Sequence, residues 1–287
     1  MRNNSESGYS SDECQLRSPS NIAIKKDARR FARSYTVVDQ LMKSANGVLY
    51  NGLENDTGRK VVIKQIPRSV IRQYFNVNGR NCPSEILFHF QAYEASGLVV
   101  KPLAWFEKRS SFVIVMESFE NSIDVFEFSK KFGAINEEAA KVIFHQIVKA
   151  ATELHAAGII HRDFKDENIL VNPQTLEIKV IDFGCATRVK RRYTNPAGTS
   201  AYFPPEWFLT AAYAPEPLTV WSIGSILYIL LTGEWTFQNG NLQRNFLKER
   251  HLSSAAKGLI NSVLCPFSAK RASLEFIQNS EFFSNIL

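Results

Sequence analysis

Apolar positions along the chain follow two different periods, and the change falls near its middle. Between residues 35 and 116 they come in short runs broken by turn signals. Runs at 35–38, 47–50, 60–66, 98–100, 102–106 and 112–116, with Arg109-Ser110-Ser111 as the last turn, predict a small antiparallel sheet. One helix interrupts it over 84–96, followed by Gly97, a residue favoured just past a helix C-terminus. From Asn136 the period is helical. Asn136 suits an N-cap and Glu137 and Glu138 suit the first turn. Ala140, Ile143, Phe144, Ile147, Ala151 and Leu154 then form one apolar face, which Gly158 ends. Apolar runs at 169–171 and 180–181, separated by Asn172-Pro173, predict a β-hairpin. The run at 226–231, opened by Val220-Trp221-Ser222-Ile223-Gly224, predicts a buried helix too short and too interrupted to span a membrane. The predicted fold class is α+β, a sheet-rich lobe followed by a larger helical lobe, with a site in the cleft between them. Residues 1–30, rich in Ser, Asn and charge, predict a disordered leader; 31–118 and 119–287 are the two lobes.

Composition adds little beyond exclusions. A chain of 287 residues, 45% hydrophobic and 22% charged, suits a soluble two-lobed protein. The formal net charge is +6, and residues 1–34 carry seven Lys/Arg against four Asp/Glu, so half of it lies there. No nucleic-acid recognition motif accompanies it, so a solvated basic face is expected and nucleic-acid binding is not. Four cysteines (Cys14, Cys82, Cys185, Cys265) lack metal or disulfide spacing, and the N-terminus lacks a signal-peptide apolar region. A cytoplasmic or nuclear location without membrane contact is expected.

The candidate chemistry sits in one stretch, His161-Arg162-Asp163-Phe164-Lys165-Asp166-Glu167-Asn168, followed by Asp182-Phe183-Gly184. The hairpin between them should bring Asn168 and Asp182 to one rim, where their oxygens suit Mg²⁺. Asp163 is suited to orient a substrate hydroxyl and accept its proton, and Lys165 to neutralise a phosphoryl group in transfer. Asp and Asn are common turn residues, but the ordered set H-R-D-x-K-x-x-N followed by D-F-G is specific.

On these residues the chain resembles a protein kinase, and more closely the Pim family of Ser/Thr kinases within the calcium/calmodulin-dependent-kinase-like group, over residues 35–285. The marks are His161–Asn168, Pro204-Pro205-Glu206-Trp207 in place of A-P-E, Val220-Trp221-Ser222 without the usual preceding Asp, a hinge one residue longer than usual by count from Met116 to Asp124, and the closing residues 275–279. The resemblance implies a bilobal, monomeric kinase that binds ATP and Mg²⁺, acts on Ser/Thr of protein substrates with a preference for preceding basic residues, and needs little upstream activation. It implies Asp163, Lys165, Asn168 and Thr199 as catalytic, and Asn168 and Asp182 as metal ligands. The nucleotide would lie against the hairpin Leu41, Met42, Lys43, Ser44, Ala45, Asn46, Gly47, Val48 and Leu49, and against Val62, Lys64, Glu85, Met116, Glu117, Asp124 and Leu170. Glu85 would pair with Lys64, Met116 would gate the pocket, and Asp124 would meet the ribose or a basic substrate residue. The Thr199 hydroxyl would bridge Asp163 and Lys165. Thr219 would do part of the missing Asp's work on the catalytic loop, Arg271 would pair with Glu206, and Tyr193 and Thr194 are phosphorylation candidates.

The departures are local. Only Gly47 survives of the three hairpin glycines, with Met42 and Ser44 in the other places, and Val62 replaces the usual Ala. Phe119 replaces the hinge proline, and the acidic cluster after the large-lobe helix is reduced to Glu234, followed by Gln238, Asn239 and Gly240. His89 stands one turn after Glu85, where an apolar residue is usual. These departures support a second reading, a pseudokinase acting as an interaction module. A small-molecule phosphotransferase of the aminoglycoside-kinase type shares the Asp163, Asn168 and Asp182 logic, but has no need of Thr199 or Pro204-Pro205-Glu206.

Overall fold

The computed structural model describes residues 21–234, 237–238, 241–242 and 248–284. Residues 1–20 of the expected leader, Asn239 and Gly240 lie outside them. Residues 21–30 of that leader are not disordered. They form most of helix α1, Asn21–Ser34. The physical reason is a docked face. Phe31 and Tyr35 are buried in a cluster with Val61, Ile63, Phe106, Val113 and Val115. Asp27, also buried, accepts from the Glu107 N–H at 3.0 Å and pairs with Arg80. The Arg30 guanidinium stands 4.8 Å from the Phe106 ring centre and Lys108 Nζ stands 4.0 Å from that of Phe31. Ser/Asn-rich composition conceals such a face because it depends on three aromatic residues spread over the chain.

The small lobe follows as β1 (Tyr35–Ser44), β2 (Gly47–Glu54), β3 (Lys60–Pro67), β4 (Tyr74–Val77), β5 (Arg80–Pro83), α2 (Ser84–Ala95), β6 (Pro102–Glu107) and β7 (Ser111–Glu117). The main sheet has the order β1-β2-β3-β7-β6 and is antiparallel throughout. Residues 98–100 do not join it. Their contact is a bridge from Val99 to Val180 in the other lobe. The hairpin β4–β5 escaped the sequence reading, although Asn78-Gly79 at its tip is a strong turn signal and both residues have positive φ. Helix α2 ends with Ser96 in an extended conformation, so the expected left-handed Gly97 is absent.

The large lobe opens with β8 (Ile123–Asp124), α3 (Val125–Phe132) and α4 (Glu137–Ala156). The Asn136 side chain accepts from the Ala139 N–H at 2.8 Å and caps α4, whose six expected apolar positions are all fully buried. Then come β9 (Ile159–Ile160), β10 (Ile169–Val171), β11 (Ile178–Val180), β12 (Thr187–Arg188), α5 (Pro205–Thr210), α6 (Pro215–Thr232), α7 (Ser254–Val263) and α8 (Leu274–Gln278). The predicted hairpin is β10–β11, with Ile169 opposite Val180, and β10 also pairs with β8. Every residue of α6 from Leu218 to Thr232 is buried. No helix among the described residues is long and apolar enough to cross a membrane.

Two long-range expectations part ways here. Arg271 makes a two-pronged pair with Glu206 at 2.9 and 2.8 Å and also donates to the Pro217 and Cys265 carbonyls, a structural bridge as expected. Thr219 does not reach the catalytic loop. Its hydroxyl donates to Pro215 O at 3.1 Å and accepts from His155 Nε2 at 2.9 Å. A threonine is shorter than the Asp it replaces, and its hydroxyl is satisfied by its own helix and α4.

If α1 is a docked element, Phe31→Ala should lower stability by about 3 kcal/mol, the usual cost of truncating a buried Phe. Val38→Ala, on exposed β1, should cost little. Denaturant unfolding of both variants checks this; equal midpoints would mean that α1 contributes nothing.

Candidate active site

Strand β3, helix α2 and the end of the β10–β11 hairpin converge on one ammonium group. Lys64 Nζ lies 2.6 Å from Glu85 Oε1 and 2.9 Å from Asp182 Oδ1. Its side chain is 7% exposed, so it is not the solvent-facing lysine that strand position alone suggests. Burial alone works against the ammonium, but the two carboxylates outweigh it and raise the Lys64 pKa above the ordinary value. The carboxylates differ. Burial pushes Glu85 above the usual carboxylate range in spite of Lys64. Burial would also push Asp182 up, but Lys64 and the Gly184 N–H hold it down to about 2. Asp182 Oδ1 therefore carries the ion pair, and Oδ2 is left for a cation.

The catalytic loop is organised around Asp163. Its Oδ1 accepts from the Thr199 N–H at 2.8 Å and its Oδ2 from Asn168 Nδ2 at 3.1 Å. Asn168 Nδ2 also donates to Asp163 O at 2.8 Å, so both bonds use the amide nitrogen and leave the amide oxygen as a ligand atom. Asn168 and Asp182 are tied through the backbone, since the Ile181 N–H donates to Asn168 O at 3.0 Å. The expected bridge by the Thr199 hydroxyl is not the contact seen; the backbone N–H reaches Asp163, and Lys165 is paired with Glu167 instead. Gly198 explains why. At φ +94° a Cβ there would lie 2.3 Å from Arg162 O and 2.9 Å from Asp163 Oδ1, so only glycine lets this segment approach so closely. Lys165 lies beside the loop, paired with Glu167. Burial opposes its charge, yet Glu167 and Asp163 raise its pKa.

Sequence reasoning missed Asp166. It is fully buried, and its Oδ1 accepts from the Tyr202 hydroxyl at 2.7 Å, which ties the catalytic loop to the segment that carries Thr199. Burial pushes its carboxyl up to about 6. Arg162 and Asp182, at φ +63° and +61°, hold the backbone in the left-handed region on either side of this site.

The nucleotide-loop residues divide into two groups. Leu49, Val62 and Met116 pack in one apolar cluster with Ile181, and Val62 faces Met116 across β3–β7. Leu170 pairs with Asp124 across β10–β8. The Asp124 side chain accepts from the Glu127 N–H at 2.8 Å and caps α3. Glu117 accepts from the Lys101 N–H at 2.9 Å. By contrast Leu41, Met42, Lys43, Ser44, Ala45 and Asn46 form an exposed hairpin tip above Val48. Ser44 closes that turn, donating to Gly47 O at 3.3 Å and accepting from the Asn46 N–H at 3.3 Å. Gly47, at φ +150°, leaves no room for a side chain, because a Cβ would lie 2.4 Å from Gln65 O.

Tyr193 is corrected as a phosphorylation candidate. It is 6% exposed, its hydroxyl donates to Arg188 O at 2.6 Å and accepts from the Lys190 N–H at 3.0 Å, and its ring stacks on Tyr213. The Arg162 guanidinium lies 5.4 Å from the Tyr193 ring centre and Nε donates to Cys185 O at 2.7 Å. Thr194 is exposed.

The comparisons with known proteins agree with this geometry. The model of the protein kinase domain family matches residues 35–283. The chain is 36% identical over 268 residues to serine/threonine-protein kinase pim-2 of Danio rerio, which covers 89% of this chain and 86% of that protein. It is 34% identical over 261 residues to serine/threonine-protein kinase prk-2 of Caenorhabditis elegans, covering 87% of this chain and 58% of the length of that relative. It is also 31% identical over 253 residues to a PAS domain-containing serine/threonine-protein kinase of Mus musculus, of which it spans 18%.

Lys64→Met should destabilise the fold by about 3 kcal/mol at pH 8, because it strands buried carboxylates without their counter-charge. Glu85 is already raised, so it will take up a proton as pH falls in the variant, and the deficit should shrink towards pH 5. Denaturation of wild type and variant at both pH values tests this. An equal deficit at both would show that Glu85 is not the stranded charge.

Proposed function

The chain belongs to the protein kinase domain family, among the serine/threonine kinases, and on that premise we propose that it is catalytically active, transferring the γ-phosphate of ATP to Ser or Thr of protein substrates. The observation that carries this is the assembled pair of Lys64 with both Glu85 and Asp182, alongside an Asp163 carboxylate already held by Asn168 and Thr199. The pseudokinase alternative draws on Met42, Ser44 and Val62; a complete and connected set of charged groups speaks against it.

In this proposal Lys64 holds the nucleotide phosphates, and Leu49, Val62, Met116 and Leu170 enclose the base. Asp163 orients the substrate hydroxyl and takes its proton, since each of its oxygens keeps a second lone pair after its observed bond. Lys165 neutralises the phosphoryl oxygens. The donor set fits Mg²⁺. The Asn168 amide oxygen and Asp182 Oδ2 are hard ligands, and among the described residues no group of three or more His, Cys, Asp or Glu could hold a metal on its own. Phosphate oxygens and water would complete such a shell. Bound there, Mg²⁺ would offset charge on the phosphates.

Substrate preference for basic residues before the target rests on Glu127 and Glu167, both exposed. Each already has a partner, Lys130 at 3.2 Å and Lys165 respectively, so a substrate Arg must compete. Asp124 is committed to capping α3 and contributes less. The proposal includes a monomer, and a location in the cytoplasm or nucleus, with which the free cysteines at 82, 185 and 265 accord.

Asp163→Asn should retain folding and nucleotide binding and lose at least about a hundredfold in kcat, the lower range for removing a general base. A radiolabelled transfer assay on a basic protein reads this, and substantial turnover by the variant would refute the assignment. A second expectation concerns ATP. Met42 prevents the close backbone approach that glycine allows, and Val62 crowds the base. Met42→Gly with Val62→Ala should lower KM for ATP about tenfold and change kcat less. Ser44 is left in place because its hydroxyl closes the turn. An unchanged KM would show that the tip does not contact the phosphates.

A further inference from the structure

Helix α2 presents a second polar group to the site besides Glu85. His89 lies four residues later, one turn along the same helix face. Its ring is 3% exposed, and a buried imidazole must find partners for its polar atoms. It stacks on Phe183 at 5.0 Å between ring centres and 25° between planes. Its Nε2 lies 2.8 Å from Val100 O. A carbonyl only accepts, so Nε2 carries the hydrogen and donates. Burial holds the ring neutral, with its pKa lowered to about 4, which leaves one N–H, and that bond uses it.

What Val100 is attached to gives the bond its meaning. The Val100 N–H donates to Val180 O at 3.1 Å, and the Val180 N–H donates to Leu98 O at 2.7 Å. Val180 ends β11, two residues before Asp182. A closed circuit results: Lys64 to Glu85, along α2 to His89, through Val100 to Val180, along the chain to Asp182, and back to Lys64. Phe183 also meets His161 edge to face at 4.9 Å and 67°. His161 Nε2 in turn donates to Ile181 O at 3.0 Å. Phe183 thus contacts two imidazoles, each pinned by one N–H to a backbone carbonyl. An aliphatic residue at 89 could fill the same volume, but it would lack this directional bond from α2 to Val100 O.

Taking the kinase reading as its basis, we propose that His89 is a positioning residue. By donating to Val100 O while stacked on Phe183, it fixes the rotation of α2 that sets Glu85 on Lys64, and so holds the paired arrangement as the resting state of the enzyme. A residue that acts only by filling space makes the opposite prediction for conservative changes, which separates the two roles.

Three variants decide it. His89→Leu fills the space without a donor, His89→Phe keeps the stack without a donor, and His89→Gln places an amide N–H near the Nε2 position without an aromatic ring. Positioning predicts that the Leu and Phe variants fold but lose about tenfold in kcat/KM for ATP, the worth of one buried hydrogen bond. The Gln variant should return to within about threefold of wild type. Full activity in Leu or Phe, or a Gln variant no better than Leu, overturns the proposal. Hydrogen exchange of the α2 amides, read on the same proteins, should be faster in Leu and Phe than in wild type and Gln. That readout needs no catalysis. If wild type transfers no phosphate, the kinase reading fails, while the exchange pattern still supports or overturns the role of His89.

Discussion

One buried cation holds the two lobes in register. Lys64 can remain charged at 7% side-chain exposure only because Glu85 and Asp182 both stand within 3 Å of it. Those three residues belong to the central strand β3, helix α2 and the segment beyond the large-lobe hairpin. Satisfying the ammonium therefore fixes the relative placement of all three. The left-handed backbone at Asp182 follows from the same demand, since the carboxylate has to turn back towards Lys64 while the chain runs on to Phe183.

Around this cation the remaining polar groups of the site are satisfied by backbone as much as by side chains. Thr199 reaches Asp163 with an N–H, not its hydroxyl, and Gly198 is the residue that lets it do so. His161 and His89 are each anchored on a carbonyl. Asp166 Oδ1 accepts from Tyr202 and from the Glu167 N–H. Arg162 is occupied by the Cys185 carbonyl and the Tyr193 ring, which keeps the segment between Gly184 and Gly198 in contact with the catalytic loop without any added phosphate. The site is thus connected internally before a substrate arrives, which is what preorganised electrostatic catalysis asks of a protein.

The hairpin tip obeys a different constraint. Its retained glycine is the one whose Cβ would meet a backbone carbonyl, whereas Met42 is exposed and the Ser44 hydroxyl bonds back onto the turn, so neither side chain crowds the fold. The pattern of loss is explained by folding alone.

Local features were legible in the sequence because their causes are local. Asn136 and the apolar face of α4, the β10–β11 hairpin and the spacing of Asp163, Lys165, Asn168 and Asp182 all depend on residues close together in the chain. The two-lobed α+β architecture followed from the change of period. What only the tertiary structure decided depends on burial by distant segments. Lys64 and Asp182 are 118 positions apart, and nothing near either states that the lysine will be desolvated. Residues 21–30 read as leader because the apolar partners of the helix they open, Phe106 and Val113 among them, arrive from β6 and β7. Thr219 was expected at the catalytic loop and turned to His155, and Tyr193, a phosphorylation candidate, is buried with its hydroxyl bonded to Arg188 and Lys190. Residue type and spacing determine which groups are able to act. Which of them are buried, and so obliged to pair, is settled only when the lobes close on one another.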